Sequence, residues 1–206
     1  MTLLSGIVDR LSGRRVQIAD VASLAHFLES RTAFTSQKCI TEFCRVRAGV
    51  HWEKLFRERE FEDALLASTW ASFTPVLAMM TEMVEGVLRP AAISADANVR
   101  GQLVRVAADI RDAMTLPPQA DASLWKNQSE MVDEALARAA LAAPRPVRYL
   151  PDPLARTVFE SLPLHESVVT NDDDYIFNNL RMNLLRAHDD FVAAADLPAL
   201  VRSLKH

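Results

Sequence analysis

The sequence predicts an all-α fold: a single-domain helical bundle of roughly seven to nine helices. Three observations predict it. Only five glycines occur in 206 residues, and helix interiors exclude glycine because ordering its backbone costs extra entropy. Between the prolines, apolar residues recur at spacings of three and four. No stretch alternates with period two for long enough to make a strand. Val147 to Leu150 comes nearest, and the prolines around it argue against pairing.

Each element can be justified in order. Leu3, Leu4, Ile7, Val8 and Leu11 make a stripe over a short first helix at about 2–12. Asp20 is an N-cap for a helix carrying Val21, Leu24, Phe27 and Leu28. The pattern resumes with Ala33, Ile40, Phe43, Cys44 and Val46 and ends near Gly49. This is one long helix or two with a bend near Ser30. Residues 51–59 and 60–70 continue in helical style. Thr74 reads as a cap with Pro75 at the first helical position, opening a helix that stops at Pro90. Residues 97–114 form the next helix. Residues 122–142 form another, capped by Asp121, or by Ser123 if it starts later. A proline-rich connector at 143–153 is expected to lie extended over the body. Helices at 154–162, 175–195 and 197–204 complete the chain. The part after the connector is too small for its own core, so residues 1–206 are read as one domain.

Composition narrows the function. Half the residues are apolar and the formal net charge is −4, which gives no basic excess for nucleic acid. No apolar run approaches the roughly 20 residues of a membrane span, and residues 1–11 are too short and charged for a secretory signal. Cys39 and Cys44, five apart on a helix, point roughly 140° from each other and cannot bridge within it. Both are read as buried, reduced thiols of a cytoplasmic protein.

Several chemistries lack their motifs. No glycine flanks a serine as a nucleophile elbow requires. The glycines of phosphate loops and dinucleotide sites are missing. The five histidines fall into no zinc-binding spacing, so neither metal nor cofactor is expected. Asp172, Asp173 and Asp174 superficially resemble a magnesium-diphosphate motif. Following Thr170 or Asn171 as cap, they read more simply as carboxylates complementing a helix N-terminus. A helix-turn-helix reading would put a turn at Glu29 to Arg31 and a recognition helix from Thr35. Glu42 between Lys38 and Arg45 suits a solvated face better.

Three groups of side chains remain. On a helical wheel of residues 176–191, Ile176, Leu180, Leu184, Ala187 and Phe191 form the core face. Asn179, Asn183, Arg186 and Asp190 line its border, where they are expected to face protein by hydrogen bonding across helices, to line a polar pocket end, or to sit in a subunit interface. On the helix through 33–47, Ser36 and Arg47 intrude on the apolar arc. A buried arginine needs an acidic partner, and Asp190, Glu42 and Glu160 are the alternatives. Finally, His51, Trp52, Trp70 and Phe73, with Met79, Met80 and Met83, are either core or the wall of an apolar pocket for a lipid or quinone.

The segments LSGRRV (Leu11 to Val16), QKCITEFCRV (Gln37 to Val46) and NNLR (Asn178 to Arg181) resemble a family of uncharacterised bacterial proteins of similar length, some of which bear the name esterase. The resemblance spans most of the chain and brings no catalytic residue with it. The expectation is a non-catalytic helical protein that binds another protein, a second copy of itself included. The alternative is a carrier or sensor of an apolar small molecule. A helical DNA-binding regulator and an enzyme without a local motif rank below both.

Overall fold

A computed structural model describes residues 17–94, 97–163 and 173–205. The expected helix at 2–12 and the cap residues Thr170 and Asn171 lie outside these residues, as does Asp172. The described residues form α1 (Val21–Ala48), α2 (Trp52–Leu55), α3 (Arg59–Ser94), α4 (Val99–Asp112), α5 (Ala122–Asn127), α6 (Met131–Ala139), α7 (Ala155–Glu160), α8 (Asp173–Ala194) and α9 (Leu197–Ser203). The fold is all-α. Short 3₁₀ turns occupy Gly49–His51 and Val147–Tyr149, so the nearest strand candidate is a helical turn.

The capping residues do what their chemistry dictates. The Asp20 carboxylate accepts from Ser23 N–H, while the Ser23 hydroxyl takes the Asp20 N–H. Asp121 accepts from Ser123 and Leu124 N–H, and Asp196 accepts from Ala199 N–H. Gly49 closes α1 with φ of 53°, a left-handed backbone that suits glycine, and its N–H reaches Val46 O.

One boundary left open is settled, and two expected ones are corrected. α1 is continuous for 28 residues. The Glu29 to Arg31 turn required for a helix-turn-helix does not form, because Leu24, Phe27, Leu28, Thr32 and Thr35 keep one uninterrupted buried face.

Pro75 and Pro90 do not start or stop helices. Both lie inside the 36-residue α3. A proline in a helix interior frees the carbonyl four residues earlier. For Pro75 that carbonyl belongs to Ala71, and the Gln128 side chain donates to it at 3.1 Å. Thr74 is therefore not a cap. Its hydroxyl accepts from Arg111 Nη1 at 2.8 Å.

Residues 122–142 form two helices instead of one. Arg111 takes the carbonyls of Trp125 and Gln128, which a continuous helix would have used internally.

α3 is the axis of the molecule and touches α1 and every helix from α4 to α9. Every residue from Ser72 to Glu85 is buried, the condition of a helix enclosed by others. By length and composition α3 is also apolar enough to cross a membrane, although 61% of its most apolar window is buried by the rest of the fold. Sequence reading missed that property by dividing the helix at its prolines.

α1 and α8 lie antiparallel. Phe27 meets Phe191 at 5.3 Å between ring centroids, and Phe43 meets Tyr175 at 5.7 Å near the other end. Ile176, Leu180, Leu184, Ala187 and Phe191 are all buried, as the wheel predicts. Removing this face from water contributes on the order of 10 kcal/mol. Ile18 closes the fold as an isolated parallel bridge to Ala195: its N–H donates to Ala194 O and its carbonyl accepts from Asp196 N–H, both at 2.9 Å.

Candidate functional site

The predicted border stripe splits along α8. Asn183 is 5% exposed. Its Nδ2 donates to both Asn179 O and Asn179 Oδ1 at 2.8 Å. Asn179 Oδ1 also receives the Cys39 thiol of α1 at 3.1 Å. These asparagines therefore face protein, as expected. Arg186 does not; it is exposed. Asp190 is half-exposed and pairs with Arg31 at 2.7 Å.

Arg47 is a correction. It is exposed, with its guanidinium 5.7 Å from the Phe43 ring centroid, so the buried arginine inferred from the wheel is not there. Arg45, Val46 and Arg47 in the last turn of α1 are all exposed, so solvent reaches the side chain. Its positive charge also suits the last turn of a helix. The two helices do pack together, through Arg31 with Asp190 and Cys39 with Asn179.

Beside this seam, the hydroxyls of Thr32 and Ser36 and the Asn183 amide oxygen are buried without hydrogen-bond partners. Burial pushes both the Cys39 and Cys44 thiols up to about 12. A thiol so far from ionising is a poor nucleophile.

The aromatic and methionine group does not assemble as one wall. Trp52 stacks edge-on to Phe56, which meets Phe61. Trp70 and Phe73 both pack on Trp125. Met80 and Met83 are sealed in the core of α3. A void of about 10 Å³ lies under Trp70, Trp125 and Gln128, room for at most one water. Val50, His51, Glu53, Lys54, Arg57 and Glu58 border an open depression of about 500 Å³. Of the predicted pocket residues only His51 borders it, among charged side chains and not in an apolar wall.

The structure brings forward two groups that sequence reading passed over. The first is Arg111, only 6% exposed. Nη1 donates to Thr74 Oγ1 and Gln128 O, each at 2.8 Å, and Nη2 donates to Trp125 O. The guanidinium lies 4.5 Å from the Trp125 ring centroid. Two of its three acceptors are carbonyls at the negative end of α5. Burial lowers its pKa from the usual arginine value. A signal existed in the sequence: Arg111 follows Leu103 and Ala107 at helical spacing, on the buried face.

The second group is Glu82 with Arg145 and Glu85 with Arg89. Arg145 grips the Glu82 carboxylate through Nε and Nη2 at 2.7 to 3.0 Å. Arg89 grips Glu85 at 2.6 and 2.8 Å and also donates to the carbonyls of Ala139 and Ala142. Acidic residues inside the apolar run from Val76 to Leu88 were the available signal.

Among the described residues, no three or more His, Cys, Asp or Glu side chains are grouped to hold a metal ion. What the fold and these clusters define is an all-α protein whose buried polar side chains join helix to helix. No family model, curated protein or solved structure matches the chain.

Proposed function

We propose that this protein works without catalysis, by binding another protein, with a second copy of itself as the first partner to test. One observation carries the reading. Leu141, Val50 and Ile93 are 87%, 89% and 75% exposed, on a molecule whose core is otherwise filled. Apolar side chains scattered singly are ordinary, but apolar surface gathered in one patch is a common mark of a protein contact surface, and Ile93 and Leu141 sit on two segments that Arg89 joins. The polar clusters support the same reading, because Arg111, Arg145 and Arg89 are each spent on structural acceptors. The two buried free cysteines accord with a reducing compartment such as the cytoplasm.

Light scattering coupled to size exclusion tests the proposal on the purified chain. A mass above the 22.9 kDa of the monomer, lowered by polar substitution at exposed apolar positions, is the expected result. A strictly monomeric chain that captures no partner from its own host would overturn it.

A further inference from the structure

We propose that residues 113–130, between α4 and α6, are a latch over α3 that opens as one unit while the rest of the bundle stays folded, baring the faces of Trp70 and Phe73. The inference goes beyond the interaction reading above and does not depend on it. Among residues 113–130 only Gln128 is buried, whereas every residue from Ser72 to Glu85 of α3 is. Named contacts hold the segment down. Gln119 Nε2 donates to Asp63 Oδ1 at 2.8 Å. Gln128 Nε2 donates to Ala71 O at 3.1 Å. The half-buried Trp125 ring lies 5.6 Å from Trp70 and 5.8 Å from Phe73, centroid to centroid. Arg111 takes the Trp125 and Gln128 carbonyls.

The closed latch carries costs that opening relieves. Arg111 is withdrawn from water, yet its acceptors are a hydroxyl and two carbonyls, with no carboxylate among them to offset the lost hydration. Gln128 Oε1 is buried without a partner, and the void of about 10 Å³ lies beside it, under Trp70 and Trp125. Lifting the segment returns the cation and the amide oxygen to water. The hydrogen bonds that hold it exchange for bonds to water at a small net cost. The other long connection, residues 140–153, is held differently. There Arg145 grips Glu82 and Arg89 grips Glu85, and Leu150 and Pro151 are buried. That contrast assigns the weaker attachment to residues 113–130. Opening leaves Trp70 and Phe73 facing solvent, beside the Arg111 guanidinium and the Ala71 carbonyl that Pro75 frees.

Native-state hydrogen exchange of the full chain, read by NMR in urea below the unfolding midpoint, tests the latch. The Ala120, Trp125 and Gln128 amides are each hydrogen-bonded in the closed form. They are expected to share one protection factor, roughly a hundredfold or more below that of the buried α3 amides. Their exchange should rise with urea less steeply than that of α3, because the opening exposes a smaller surface. Gln119→Ala, at one end of the latch, should speed all three amides by a common factor of roughly twofold to tenfold. Asp63→Ala removes the same bond from the α3 side and should reproduce that factor. Latch amides that follow those of α3 at the same urea slope would overturn the proposal, because no separate opening then exists. Exchange that ignores urea, or a Gln119→Ala effect confined to Ala120, would overturn it as well, because the segment then frays piecemeal.

Discussion

Gln128 holds the carbonyl that Pro75 leaves without a helical partner, and this can be measured as a coupling energy. Replacing Gln128 by methionine keeps most of its volume but removes the donor to Ala71 O. An orphaned, partly buried carbonyl costs about 1–3 kcal/mol. Because the Gln128 amide oxygen is itself buried without a partner, its removal returns part of that cost. The net loss for Gln128→Met is then about 1.5 kcal/mol. Pro75→Ala restores a backbone N–H to the same carbonyl. In the Pro75→Ala background the glutamine has less to do, and Gln128→Met should cost only about 0.5 kcal/mol. The coupling between the two sites is therefore about 1 kcal/mol. Urea unfolding followed by tryptophan fluorescence reads it, since Trp70 and Trp125 flank the site. Additivity within about 0.3 kcal/mol would mean that water or local distortion satisfies Ala71, and the account of how α3 tolerates its proline would fail.

Further expectations concern the other clusters. Arg111→Met should cost about 3 kcal/mol, since two carbonyls and a hydroxyl lose a charged donor while the desolvation of the cation is recovered; a midpoint of urea unfolding unchanged from wild type would refute the hub. Arg145→Ala should cost about 2 kcal/mol, discounted because Arg145 is partly exposed while Glu82 is buried. Trypsin should then cut faster after Arg148, and an unchanged rate would mean that other contacts fix the connector. Asn183→Ala should cost about 1 kcal/mol, because the bonds lost are offset by removing an unpartnered oxygen; a neutral result would make the asparagine stripe incidental. The Cys39 thiol sits near 12 in the fold against an ordinary 9.0. Its contribution is fully present below pH 9 and lost as pH rises toward 12, because the unfolded thiol ionises first. Cys39→Ala should therefore lose less stability than wild type between pH 8 and pH 10.5, and parallel losses would contradict a dry environment for Cys39.

The fold class was legible because it rests on local terms: scarce glycine, helical spacing and capping side chains such as Asp20 and Asp121. The core face of α8 was legible for the same reason. What failed was non-local. Pro75 reads as a helix start until Gln128, 53 positions later, is seen to take the freed carbonyl. Residues 122–142 read as one helix until Arg111 withdraws two of its carbonyls. The wheel placed Arg47 inside because it assumes a straight neighbour along the whole helix, whereas solvent reaches the last turn of α1. Asn179 and Asn183 were found because asparagine disfavours helix interiors and so needed a reason. Arg111 was overlooked because arginine is an ordinary helix former and raises no such alarm.

The tie between Ile18 and the end of α8 joins distant parts of the chain. Gln17 reaches Asp196 and Val21 reaches Ser203, across 179 and 182 positions. Loop closure entropy grows only logarithmically with length, so a ring this large is cheap to close once the helices between are in place. Tension applied at residues 17 and 205 meets this clasp before it meets the core. A molecule stretched from there should show a small first yield as the clasp parts, then a second, larger one as α1 peels from α8.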